Sequence, residues 1–303
     1  VKNYIDEAIQ QQQLPTDFSN TVEKWFKPIA TEVAERAKHQ PGSFILGVQG
    51  TQGSGKSTLA SFICLLLEKE FQLSAVSLSI DDFYLTLEER KQLSENVHPL
   101  LLTRGVPGTH DVHLALETIE NLRNNNSETS CLVPRFNKAL DDRFNKDSWD
   151  EVRGRVDVIV LEGWCVGVPP QPESELAKAV NALEQEEDTN GQWRKYVNDS
   201  LKNNYTNLFN TLDALVVLSA PSFDCVYQWR LLQEQKLKDS WEKLNPSIPA
   251  KIQSPEQIKR FISHYQRLTE HGLKELPKKC DWQLVLSADH KITNLNQNIK
   301  EFA

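Results

Sequence analysis

Basic residues are in the minority: 34 Lys and Arg stand against 42 Asp and Glu, a formal net charge of −8 over 303 residues. A chain with that long-range field is a poor general binder of nucleic acid or anionic membrane, so any phosphate it holds needs a local site. No run approaches the roughly 20 apolar residues that cross a bilayer. The first residues are polar and glutamine-rich with no apolar signal core, and the expected location is cytoplasmic. The five cysteines (Cys64, Cys131, Cys165, Cys225 and Cys280) are odd in number and far apart, with no CxxC or Cys/His ligand spacing. They read as reduced thiols, which excludes a disulfide framework and a zinc finger. The seven histidines form no HExxH or similar pattern. Methionine is absent, although a chain this long would ordinarily hold several, and no internal repeat occurs. What is present is ordinary globular composition, 39% apolar and 25% charged, enough for a sizeable core.

Residues 1–42 read as a peripheral helical extension, broken around Pro15 and ended by Pro41 and Gly42. Beyond it, short apolar runs alternate with helical patterns. Residues 43–49 (SFILGVQ), 73–80 (LSAVSLSI), 131–133, 156–161 (VDVIVL), 213–219 (DALVVLS) and 282–286 (WQLVL) are strand candidates. Leu59, Phe62, Ile63, Leu66 and Leu67 mark one face of a helix. Further helices are expected over 112–123, 193–209, 222–238 and 255–275. Residues 173–210 read as a polar insert, with 173–187 at the surface. The β-branched runs are typical of strands buried on both faces. The expected fold is therefore α/β: a doubly wound, mostly parallel sheet with helices on both faces, in one domain over 43–303. Such sheets bind ligands beyond the carboxyl ends of their strands.

The first strand candidate runs into Gly50, Thr51, Gln52, Gly53, Ser54, Gly55, Lys56 and Ser57, followed by Thr58, which fits GxxxxGK[ST]. Several inward backbone N–H groups and the dipole of the following helix suit a chain of phosphates, and the glycines permit the curve. Lys56 would reach the β- and γ-phosphates and the Ser57 hydroxyl would ligate Mg²⁺. The motif says nucleoside triphosphate and not what is done with it.

Two further strand candidates end in acids. Asp81 and Asp82 follow LSAVSLSI, where a carboxylate can take the proton of an attacking hydroxyl or help hold a metal. The alternative is that one of them caps a helix starting near residue 86. Glu162 follows VDVIVL, where a Mg²⁺-organising carboxylate sits in phosphate-loop enzymes, although Asp is usual there. Asp157 reads as structural. Arg104 and His110 lie on a Gly/Pro-rich loop, Arg143 follows VPRFNK, and Arg230 lies on a helix that can close over phosphates. Each of these arginines also fits a solvated charge or a surface ion pair.

Together SIDDFYL, RGVPGTHD, VPRFNK and VIVLEGW, behind GTQGSGKS, resemble the D-glycerate 3-kinase family of the plant and fungal type. That family lies within the phosphate-loop kinases that include uridine kinase, phosphoribulokinase and pantothenate kinase. The resemblance covers roughly residues 43–235 and implies the phosphate-loop kinase fold, ATP, Mg²⁺ and a small, glycerate-like hydroxyl substrate. It implies Asp81 as general base, Glu162 in placing Mg²⁺ and Arg104 on the substrate. From their positions, Ser57 and Asp81 are further metal candidates, and Asp82, Tyr84, His110, Arg143 and Arg230 are further substrate-side candidates. After Lys138 the chain departs from the family pattern, leaving Arg143, Arg153 and Arg155 as alternatives for one lid or substrate arginine. The other functional readings are a pantothenate- or uridine-kinase-like enzyme, or a nucleotide-switched regulator. No guanine-reading NKxD supports the last: Asn137–Lys138 and Asn145–Lys146 lack the Asp.

Overall fold

A computed structural model describes residues 3–244 and 253–298. Parts of the domain expected over 43–303, namely 245–252 and 299–303, lie outside the described residues. The chain opens with helices α1 (Asn3–Gln11), α2 (Phe18–Thr21) and α3 (Lys27–His39), the last two joined by a wide π turn. Strand β1 (Phe44–Gly50) leads into α4 (Lys56–Phe71), followed by β2 (Ala75–Ser79), α5 (Leu87–Asn96) and α6 (Val112–Arg123). Four short strands come next: β3 (Ser130–Val133), β4 (Phe136–Asn137), β5 (Asp142–Arg143) and β6 (Asp150–Arg153). After β7 (Val158–Gly163) come α7 (Ala182–Glu187), α8 (Gln192–Ser200) and α9 (Thr206–Phe209), then β8 (Ala214–Ser219). Helices α10 (Phe223–Leu244) and α11 (Pro255–Glu275) precede β9 (Trp282–Leu286) and β10 (Ile292–Gln297).

The main sheet has the order β10-β9-β8-β1-β7-β2 and is parallel except for β10, which returns antiparallel at the edge. β10 was not anticipated, because its sequence ITNLNQ is polar and half-solvated, as an edge strand allows. β3 pairs antiparallel with β6, and β4 and β5, which lie between them in the chain, form a separate short hairpin.

Successive residues of the central strands point to opposite faces, and each face has its own core. Ile45, Ile159, Leu161, Leu215 and Val217 pack against α6, α8, α9 and α11. Leu46, Val48, Val158, Val160, Val216 and Leu218 pack against the first helices, α4 and α10. Fully buried Ile29, Ala30 and Val33 of α3 belong to that second core, as do Ile5 and Ile9 of α1. The N-terminal helices therefore cover one face of the sheet rather than standing at its periphery.

The stretch over 173–210 is likewise integrated. Leu183, Trp193, Val197, Leu201, Tyr205 and Leu208 are buried against the sheet. Most of its charged side chains, including Glu173, Glu175, Lys178, Glu186 and Glu187, are exposed as expected, but three are buried in ion pairs. Arg267 of α11 donates to both carboxylate oxygens of Glu184, at 2.7 and 2.6 Å, and Arg194 pairs with Asp188 at 2.8 Å. Among the described residues no helix is long and apolar enough to cross a membrane.

Breaking a buried pair from one side strands the other charge. Glu184→Gln leaves the Arg267 guanidinium buried without a counter-ion, and urea denaturation is expected to show a loss of about 3–5 kcal/mol.

Candidate active site

The parallel register brings three loops to one level. Glu162 of β7 lies opposite Val48 of β1 and Ser79 of β2, so the phosphate loop, the acids after β2 and the acid of β7 all emerge at the carboxyl edge. The backbone of Gly53 (φ +77°) and of Gly55 (φ +90°), which precedes α4, is left-handed, a conformation that favours glycine. The Ser57 hydroxyl donates to Glu162 Oε1 at 2.8 Å, while Glu162 Oε2 is buried with no partner. Thr51 Oγ1, Gln52 Oε1 and Ser54 Oγ are also buried and unpaired in the loop. Among the described residues no three His, Cys, Asp or Glu side chains converge on a metal position. Mg²⁺ does not need them, since it is commonly held by one or two carboxylates together with substrate phosphates and water. Ser57 and the open oxygen of Glu162 fit that donor set.

A cleft of about 500 Å³ lies beside this loop, with Lys56, Asp81, Tyr84, Arg104, Lys138 and Arg230 in its wall. Asp81 stands on a single 3₁₀ turn (Ile80–Phe83), not at a helix cap; Thr86 supplies the capping box of α5. Both Asp81 oxygens are engaged: Tyr84 Oη donates to Oδ1 at 2.7 Å and Lys138 Nζ to Oδ2 at 2.8 Å. Burial resists the charge on Asp81. The ammonium groups of Lys138 and Lys56 and the two hydrogen bonds outweigh that resistance and hold the carboxyl at about 2. Burial and the Asp81 charge drive the Tyr84 hydroxyl well above its ordinary value, so Tyr84 remains the donor.

Arg104 pairs with Asp141 and lies 5.4 Å over the Phe136 ring. Its backbone is fixed by Tyr265, which donates to the Arg104 carbonyl at 3.0 Å, and by Trp164, which donates to the Gly105 carbonyl at 2.8 Å. Gly105 has φ +127°, and a Cβ there would collide with the Tyr265 ring. Arg230 reaches the cleft from α10 and is paired with Glu234 at 2.7 Å.

Other expected residues lie behind the wall. Asp82 accepts from Arg135 at 2.8 Å and from the Phe136 N–H at 3.1 Å, and so holds the chain after β3. His110 stacks on Tyr84 at 4.6 Å and meets Tyr205 Oη through Nδ1 at 2.5 Å; burial pushes its pKa down to about 4, leaving it neutral. Arg143 donates to the Tyr84 carbonyl at 2.8 Å and pairs with Asp111 at 3.4 Å. Arg153 and Arg155 pair with Glu151 and Asp157, away from the cleft. Thr58 is half-buried on α4. The cleft also contains residues that were not anticipated: Lys138 and Trp164, which lie inside recognisable motifs, and Phe261 and Tyr265 of α11, which carry no local signal. The loop over 287–291, after β9, lies against the phosphate loop. His290 stacks on Trp229 at 4.3 Å and its Nδ1 lies 3.0 Å from the Gly53 carbonyl.

A phosphate loop, a paired hydroxyl and carboxylate beside it and an ionised aspartate across the cleft define a phosphate-loop kinase. No family model matches the chain. It is 34% identical over 244 residues to an uncharacterized kinase, mug58, of Schizosaccharomyces pombe, covering 76% of this chain and 81% of the relative. It is 32% identical over 228 residues to the chloroplastic D-glycerate 3-kinase of Arabidopsis thaliana, covering 73% of this chain and 46% of that protein's length. The solved D-glycerate 3-kinase of Cryptococcus neoformans shares the fold, with a TM-score of 0.73 at 24% identity over 90% of this chain and 97% of that one. The chain belongs with the mug58 kinase to one family of phosphate-loop kinases, and it is an ATP-dependent small-molecule kinase.

A carboxyl held below its unfolded value of 3.8 contributes stability that is complete above that value and is lost as pH falls through about 2. Wild type is therefore expected to exceed Asp81→Asn in stability by about 2 kcal/mol from pH 8 to 5. The gap should shrink below about pH 4. Urea denaturation across that range measures it.

Proposed function

We propose that the chain transfers the γ-phosphoryl group of ATP to a hydroxyl of D-glycerate, or of another hydroxy acid of that size. The observation that carries this reading is the charge of the cleft. Lys56, Arg104, Lys138 and Arg230 face one ionised acid, Asp81, in a space of about 500 Å³. That arrangement suits a compact anion presenting a hydroxyl. D-glycerate itself is supported by the Arabidopsis relative, which carries that substrate in its name.

The chemistry follows from the residues. The phosphate-loop amides and Lys56 would hold the β- and γ-phosphates. Ser57 and Glu162 would hold Mg²⁺, which when bound neutralises charge on the β- and γ-oxygens. Asp81, ionised throughout the neutral range, would accept the hydrogen bond of the substrate hydroxyl and aim its oxygen at the γ-phosphorus. A carboxyl held near 2 is a weak base. In a loose, metaphosphate-like transition state the hydroxyl proton leaves late, so alignment matters more than basicity. Arg104 would grip the substrate carboxylate, and Arg230 would lie toward the transferring group. Trp164, Phe261 and Tyr265 line the same cleft and limit access of water.

The test is ADP release with ATP and a panel of D-glycerate, L-glycerate, glycerol, pantothenate and uridine. D-glycerate is expected to be turned over fastest, and glycerol poorly for want of the carboxylate. Asp81→Asn should lower kcat by about 10²–10⁴-fold. Preference for a neutral or larger acceptor, or wild-type turnover by Asp81→Asn, would overturn the reading.

A further inference from the structure

The short hairpin of β4 and β5 contributes no residue to the phosphate loop, yet it holds the two side chains on which the acceptor reading depends. Its four residues 138–141 form the turn. Lys138, with 64% of its side chain exposed, reaches from the cleft mouth to Asp81 Oδ2. Three residues on, Asp141 has a left-handed backbone (φ +56°), and its carboxylate is shared by two guanidinium groups, those of Arg104 and Arg90.

Arg90 is fully buried. It donates to the carbonyls of Leu85 at 3.2 Å, Leu102 at 2.8 Å and Asp141 at 2.5 Å, and its Nη2 lies 3.0 Å from Asp141 Oδ1. A charge buried in that way needs its counter-ion, so Asp141 is fixed from below. The trio of Arg90, Asp141 and Arg104 keeps one net positive charge. The Arg104 fork has five N–H donors and only one bound carboxylate, which leaves donors for a second anion. The hairpin itself is anchored to the segment after β2: Arg135 and the Phe136 N–H on Asp82, the Leu87 N–H on Asp142 at 3.1 Å, and Arg143 on the Tyr84 carbonyl.

We infer that this hairpin is the acceptor-positioning element of the kinase: Lys138 fixes Asp81 for the chemical step, and Asp141, anchored by Arg90, aims Arg104 at the anionic group of the acceptor. Both are positioning residues, and the inference rests on the function proposed above. The two act through different partners, so their loss separates into different kinetic constants.

The experiment is steady-state kinetics with whichever acceptor the wild type prefers. Asp141→Asn keeps a residue type that tolerates left-handed backbone. It should raise KM for the acceptor about tenfold or more, with kcat and KM for ATP within about threefold. In a double-mutant cycle Asp141→Asn should add little to Arg104→Ala, because the first acts through the second. Lys138→Ala should lower kcat about tenfold or more with little change in acceptor KM. Lys138→Arg, or methylamine added to Lys138→Ala, should restore part of that loss, the position being open to solvent. Additive effects of Asp141→Asn and Arg104→Ala would overturn the inference, as would Lys138→Ala changing kcat beyond rescue. Should Asp141→Asn fail to fold, the exposed Lys138 variants and their rescue still decide it. A wild type that phosphorylates no acceptor overturns the proposed function, whereas an active wild type with indifferent variants overturns the hairpin's role alone.

Discussion

The carboxylate of Asp81 remains charged in a half-buried place because cations surround it, and most of the site is arranged around that fact. Lys138 and Lys56 supply the positive field, and Tyr84 supplies a hydrogen bond from a hydroxyl that does not ionise. Tyr84 in turn lies on His110, which is held neutral by burial against Tyr205. The Asp81 charge at the end of β2 is thus supported by Tyr84 of its own segment and, from elsewhere in the chain, by Lys56, Lys138 and, through Tyr84, His110.

The same constraint explains the integration of segments that look peripheral. Tyr205, in the stretch of polar composition before β8, accepts from the Gly108 N–H at 3.1 Å and meets His110. The 173–210 stretch is therefore attached to the loop that presents Arg104. Tyr265 of α11 fixes the backbone of Arg104 from the opposite side. α11 is fastened to α7 through Arg267 and Glu184, a buried pair that costs desolvation and is kept where geometry is well satisfied.

Charge across the cleft is balanced locally rather than globally. The chain carries a formal net charge of −8, yet the cleft wall is cationic, because apart from Asp81 the acids near it are either spent on arginines or reserved beside Ser57. Asp82, Asp141 and Glu234 each hold an arginine. An acidic protein can therefore present a cationic cleft, since screening and distance weaken the field of remote charges while the fixed pairs act at contact range.

The sequence by itself determined what depends on neighbours in the chain. The phosphate loop is read from glycine spacing and a following lysine and serine because its function resides in contiguous backbone. The central strands are read from β-branched runs because strands buried on both faces leave no polar register. Glu162 and Asp81 were legible because acids directly after such strands emerge at one edge of a parallel sheet. Only the tertiary structure decided which way neighbouring side chains face. Asp81 and Asp82 are adjacent and chemically identical, yet one turns into the cleft and the other clasps Arg135, a difference set by the 3₁₀ turn and by a hairpin more than fifty residues away. For the same reason His110 and Arg143 serve the wall, while Phe261 and Tyr265 reach the cleft from a helix whose local pattern describes only how it folds.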